Sequence, residues 1–265
     1  LQLLQELNTM RFVFYSQQKR SICKLLLVFY LQKLNTFYQT SLELMNPDTN
    51  FSIRSFLGGY DKNFTYLIRC SHKGTNIIID AACPITQILP FISTPPIAVF
   101  ITHTHSDHIS YLDEYSTIFP NMIIFGYPDS TSISKIKNFR SIKHKENIKL
   151  DNLLFTAFHT PGHYFDSICY LLKPALFTGD TLFVGRTGRV KDKKSNIKDL
   201  YNSIYNKLLV LSNDLRIYPG HDYGKQPNIK IKNNIAISPL LRARNLQEFI
   251  DIMEEYELNR ILNNQ

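Results

Sequence analysis

The chain has 265 residues, 44% of them hydrophobic and 20% charged, with a formal net charge of +8. These values fit a globular protein of one or two domains and exclude a disordered or fibrous chain. No stretch reaches the roughly 18 consecutive apolar residues of a membrane span; residues 22–31 come nearest and are broken by Lys24.

Residues 1–44 differ in composition from the rest of the chain. No acidic residue stands between Leu7 and Leu42, while Arg11, Lys19, Arg20, Lys24 and Lys33 mix with hydrophobic side chains. This composition predicts an N-terminal extension outside the functional domain, either an organelle transit peptide or a poorly ordered segment. The domain itself is placed at 45–265, opening at Met45. A cytoplasmic location is expected, or a mitochondrial or other organellar one if 1–44 is a transit peptide. The remaining lysines are scattered, apart from Lys191, Lys193 and Lys194, so neither a nucleic-acid nor a membrane partner is expected. Cys23, Cys70, Cys83 and Cys169 form no C-x-x-C pair and read as free thiols.

From Phe51 short apolar runs alternate with turns. Strands are predicted at 64–69, 76–80, 97–102, 122–125, 153–159, 168–172, 175–178 and 216–218. Ile197, Leu200, Tyr201, Ile204, Leu208 and Leu211 recur at helical spacing, as do Leu246, Phe249, Ile250 and Met253. Asn245 and Glu248 form a capping box at the start of the second stripe. These stripes are core faces.

Polar clusters fall directly after four of the strands, where a rigid scaffold presents functional groups. His103-Thr104-His105-Ser106-Asp107-His108 packs four potential ligands into six residues. On a strand His103 and His105 would point the same way, and a turn at Ser106 would swing Asp107 and His108 toward a second position. His163 ends Thr160-Pro161-Gly162-His163, Asp180 follows Gly179, and His221 follows Pro219-Gly220. Imidazole and carboxylate donors suit zinc, and also iron or manganese.

In this order the four motifs resemble the signature series of the metallo-β-lactamase superfamily, over roughly 51 to the C-terminus. The resemblance implies an α/β fold, a four-layer αββα sandwich with its metal site at one edge of two facing sheets. Carried over by position, His103, His105 and His163 would hold one metal, and Asp107, His108 and His221 the second. Asp180 would bridge them, and Asp80 would support the ligands from behind. Within the superfamily the chain looks most like glyoxalase II and the persulfide dioxygenases. Thr178-Gly179-Asp180-Thr181-Leu182-Phe183 is similar to the glyoxalase II segment, and His221-Asp222-Tyr223 to the dioxygenase one. Ser238-Pro239-Leu240-Leu241-Arg242 resembles a tail common to both. The chain departs from them at Ile109-Ser110-Tyr111, where glyoxalase II carries Gly-Gly, and at Gly185-Arg186-Thr187-Gly188-Arg189, where both relatives carry Gly-Cys-Gly.

The resemblance implies a metal-dependent hydrolase that uses two zinc ions, with iron or manganese as alternatives. Its small-molecule substrate would be a thioester such as an acyl-glutathione, attacked by a hydroxide generated at neutral pH. Asp107 and Asp180 are the expected catalytic carboxylates. Arg186, Arg189, Tyr223, Arg242 and Arg244 are candidates for binding an anionic substrate. The rival reading is a mononuclear iron persulfide dioxygenase using His103, His163 and Asp180 as a facial triad.

Overall fold

The computed structural model describes residues 50–263; the extension expected at 1–44 lies outside them. In chain order the strands of the first sheet are β1 (Phe51–Gly58), β2 (Asn63–Cys70), β3 (Asn76–Ile79), β4 (Pro96–Phe100), β5 (Ile123–Gly126) and β6 (Phe139–Ser141). The second sheet holds β7 (Asn147–Leu150), β8 (Leu153–His159), β9 (Ile168–Leu172), β10 (Ala175–Gly179), β11 (Arg216–Pro219) and β12 (Ile229–Lys230). Among the described residues four α-helices accompany them: α1 (Leu112–Ile118), α2 (Ile197–Ser203), α3 (Ile231–Ile237) and α4 (Leu246–Asn263). Strands run β1 to β6 across one sheet and β12 to β7 across the other. Between β3 and β4 the chain makes two short 3-10 turns, Ile85–Gln87 and Leu89–Phe91.

Side-chain alternation explains how the layers stack. Phe177 and Ala175 of β10 face the first sheet, in a core that also holds Phe64, Tyr66, Ile68, Ile77, Ile79 and Phe100. Leu176, between them, faces the other way into a second core with Leu200, Ile204, Ile231, Phe249 and Met253 from the helices. Strands β9 and β10 are therefore buried at every position, as expected of strands covered on both faces. In the first core Phe100 stacks on Phe125 and on Phe155, each at 4.7 Å between ring centroids. The outcome is a mixed α/β protein with two facing sheets, the αββα sandwich.

The eight predicted strands are present, two of them with the predicted ends and the others shifted by no more than two residues. The sequence reading missed β1, β6, β7, β12, α1 and α3; of these, β6, β7 and β12 are two to four residues long, with little alternation to reveal them. The first helical stripe is not one regular helix. After Ser203 it continues as a π-turn over Ile204–Leu208, with the Leu209 N–H bonded to the Ile204 carbonyl five residues back. The capping box of α4 is half made. Glu248 N–H donates to Asn245 Oδ1 at 3.0 Å, but the Glu248 carboxylate turns to Arg244 instead of returning the bond.

Cys70, Cys83 and Cys169 are buried free thiols. Among the described residues no helix is long and apolar enough to cross a membrane.

Candidate metal centre

The ends of β3, β4, β8, β10 and β11 deliver the polar clusters to one edge of the sandwich. Strand β4 stops at Phe100, earlier than predicted, so His103 and His105 converge through a loop and not through the pleat of a strand. That loop is anchored on both sides. Thr102 O accepts from Ile168 N in the opposite sheet, and Thr104 N–H donates to the buried Asp166. The loop of His221 is tied to the first sheet in return, since Phe64 N–H donates to Gly220 O and Asp222 N–H to Lys62 O. A Cβ at Gly220 would strike Asp180 Oδ1 and His108 Cε1, so only glycine lets the backbone pass this close.

The seven side chains singled out by sequence stand together. His103 Nε2 and His163 Nε2 each lie 3.0 Å from His105 Nδ1. His108 Nε2 lies 3.3 Å from His221 Nε2, and Asp107 Oδ2 is 3.5 Å from the latter. His103, His105 and His163 form one close set of donor atoms, and Asp107, His108 and His221 another. Asp180 stands between the two, with Oδ1 3.2 Å from His108 Nε2, and Oδ2 3.2 Å from His221 Nε2 and 3.5 Å from His163 Nε2.

Hydrogen bonds behind the rings decide what the front nitrogens can do. His108 Nδ1 donates to Asp80 Oδ2 at 2.9 Å, His163 Nδ1 to Arg189 O at 2.8 Å, and His221 Nδ1 to Asp61 O at 2.7 Å. Thr102 gives its hydroxyl proton to Asp80 Oδ2 and faces His103 Nδ1 at 3.2 Å, which makes that nitrogen the donor. With the protons committed to Nδ1, each Nε2 presents a lone pair to the centre, the arrangement that metal-binding imidazoles adopt. Asp80 does this from a left-handed backbone position, φ 58°, and also accepts from Thr102 N–H at 2.7 Å.

Unshared lone pairs crowded this closely need positive charge among them. Burial lowers His103 and His105, reinforced by neighbouring imidazoles. Burial also lowers His108, yet Asp180 and Asp80 draw a second proton to it and carry it well above the ordinary histidine value. Burial raises Asp180, but His108 and His221 pull it well below the carboxylate range. A cation at this position would take the place of such a proton on His108. Asp180 Oδ1 is buried and faces only His108 Nε2, at 3.2 Å, which also fits a cation ligand. The donor set suits divalent zinc, iron or manganese.

A cavity of about 830 Å³ opens over His105, Asp107, His163, Asp180 and His221. Arg186, Arg189 and Tyr223 line it. The Arg186 guanidinium lies 4.3 Å from the Tyr223 ring centroid, and Tyr223 stacks in turn on His221 at 4.7 Å. Arg242 does not reach the cavity, because the turn Pro239–Leu241 presents Leu240 there and leaves Arg242 exposed. Arg244 is exposed and taken up by Glu248. Sequence reasoning missed Tyr60 and Asp61 from the β1–β2 turn, and Met253, Tyr256, Glu257 and Arg260 from α4. It also missed Asn63, whose Nδ2 donates to Asp107 Oδ2 at 2.8 Å. The Gly58-Gly59 turn was a readable signal for the first group; nothing in the sequence marked the face of α4.

Fold and centre together define the class, and sequence comparison agrees: the chain belongs to the metallo-beta-lactamase superfamily, whose family model matches residues 58–221. It is 33% identical over 177 residues to a hydroxyacylglutathione hydrolase of Francisella tularensis subsp. novicida, covering 64% of this chain and 67% of the relative. It is 28% identical over 175 residues to a probable polyketide biosynthesis zinc-dependent hydrolase of Bacillus subtilis, covering 64% of this chain and 78% of that one. Among solved structures, ETHE1 from Myxococcus xanthus superposes with a TM-score of 0.68 at 29% identity, covering 76% of this chain and 89% of that one.

Proposed function

We propose that this protein is a metal-dependent hydrolase of a small thioester of the acyl-glutathione type. The observation that carries the reading is the convergence of seven donor side chains, five of which, His105, Asp107, His163, Asp180 and His221, line one cavity. The relative named as a hydroxyacylglutathione hydrolase and the one named as a zinc-dependent hydrolase support it.

His103, His105 and His163 would hold one cation, Asp107, His108 and His221 a second, and Asp180 both. Two zinc ions, when bound, supply Lewis acidity and a nucleophile available at neutral pH. The remaining steps fall to the chain. Asp107 and Asp180 are the carboxylates that face the reacting group, and Asn63 orients the former. Arg186, backed by the Tyr223 ring, meets an anionic group of the substrate; its Nε is buried without a hydrogen-bond partner. Arg189 lines the same cavity, although its guanidinium is already held by Glu257. A thiolate leaves readily because its pKa is low, so no dedicated general acid is required.

The second reading, a mononuclear iron persulfide dioxygenase built on His103, His163 and Asp180, draws on the likeness to ETHE1. Metal analysis of the purified protein, alongside assays with S-lactoylglutathione and glutathione persulfide, separates the two. Two zinc-like ions per chain and release of free thiol from the thioester are expected. One iron per chain with oxygen consumption on the persulfide would overturn the hydrolase in favour of the dioxygenase.

A further inference from the structure

The carboxylate of Glu257, on α4, takes the Arg189 guanidinium in a fork, with Nε at 3.0 Å and Nη2 at 3.1 Å. Lys191 pairs with the same carboxylate. The carbonyl of Arg189 meanwhile accepts from His163 Nδ1 at 2.8 Å. One residue thus reaches the C-terminal helix with its side chain and a candidate ligand imidazole with its backbone. Among the described residues, 189–191 make no backbone-to-backbone hydrogen bond. The grip on the Arg189 side chain is therefore the chief polar restraint on where its carbonyl points. A two-pronged arginine–carboxylate pair fixes orientation as well as distance.

We propose that Glu257 is a positioning residue for the first metal set. By clamping Arg189 it keeps the carbonyl aimed at His163 Nδ1, and so keeps the Nε2 lone pair of His163 turned toward His105 and Asp180. The inference rests on the metal reading of the site and not on the choice of substrate. Partners that orient a ligand imidazole are worth 10–100-fold in metal affinity. Glu257 acts one residue further out, so an effect of about tenfold, at the lower end, is expected.

The test is zinc affinity and stoichiometry of the full chain, measured by competition with a chromogenic chelator. The variants are Glu257→Gln, Arg189→Gln, the two combined, and Lys191→Ala. Arg189→Gln keeps the carbonyl and removes the clamp together with one positive charge. If Glu257 acted by charge alone, losing it would loosen the cations, while losing the Arg189 charge would tighten them. The clamp instead requires both variants to bind one of two zinc ions about tenfold more weakly. The other zinc should be unaffected, the double variant no worse than either single one, and Lys191→Ala like wild type. Tighter or unchanged binding in Arg189→Gln overturns the proposal. So does parallel loss of both ions in Glu257→Gln, which would mark a general structural role. The exchanged pair Arg189→Glu with Glu257→Arg should recover most of the affinity; failure to do so counts against the clamp even if the single variants fold poorly. Wild-type protein that takes up no zinc would overturn the metal reading itself, whereas zinc uptake indifferent to these variants overturns only the clamp.

Discussion

Asp80 shows how much one side chain organises. It accepts from Thr102 N–H, from Thr102 O–H and from His108 Nδ1–H, all within 2.9 Å, in a backbone conformation that most residues avoid. Asp80→Ala would leave three buried donors unpaired, at about 1–3 kcal/mol each, and should lower the unfolding free energy by at least about 3 kcal/mol. Asp80→Asn keeps the shape and tolerates the left-handed turn, but its amide offers one acceptor where the carboxylate offered two. Metal affinity should then fall by about 10–100-fold with a smaller loss of stability; chelator competition and denaturant melts read the two effects separately. Asp180 makes a different demand. Asp180→Asn removes the negative charge that lies between both sets of ligands and should weaken both ions together, while His221→Ala should loosen mainly the ion held with Asp107 and His108. Stoichiometry and turnover measured on these two variants test the bridge. A His221→Ala protein with full metal content and rate would favour the single-iron enzyme.

Helix α4 joins the core to the site. Phe249 is fully buried, set edge-on against Tyr201 and Tyr205, and Met253 packs in the same cluster while also lining the cavity. Phe249→Ala should cost about 3–5 kcal/mol, seen as a lower denaturant midpoint at unchanged slope. Because the same helix carries Glu257 and Arg260 into the cavity, the damage should extend to substrate binding. A variant as stable as wild type would show that α4 does not depend on this anchor. The π-turn after α2 also serves packing: it lets Tyr205 donate to Leu240 O at 2.9 Å and Lys207 reach His159 O at 2.8 Å.

For the whole molecule, the centre is a junction between two sheets. His103, His105, Asp107 and His108 follow β4 of the first sheet, while His163, Asp180 and His221 follow β8, β10 and β11 of the second. Cations bound by both groups would hold the layers together and stabilise only the folded state. At metal concentrations a thousand times the dissociation constant this linkage is worth about 4 kcal/mol per site. For a body of this size that is roughly 8–16 °C in melting temperature. Removal of metal by a chelator is therefore expected to lower the thermal midpoint by about that much for each site emptied, reversibly on adding zinc. A midpoint indifferent to chelation would mean that the ligands do not bridge the sheets.

The sequence by itself determined the strands that end in the site and the donors that fill it. Both are local facts: an apolar run of strand length, then a short polar motif whose spacing survives any arrangement of the rest. It also placed Asp80 behind the ligands by likeness. Only the tertiary structure decided which arginines face the cavity. Arg242 and Arg189 look alike in the sequence, yet one points to solvent and the other is gripped by a glutamate 68 residues away. Pairings across such separations follow from how the layers pack, which no local pattern encodes. The same holds for Asn63 on Asp107 and for the Asp61 carbonyl on His221. The first joins β2 to the loop after β4 within one sheet; the second arises where the β1–β2 turn of that sheet meets the last loop of the other, and it exists only once the two sheets close.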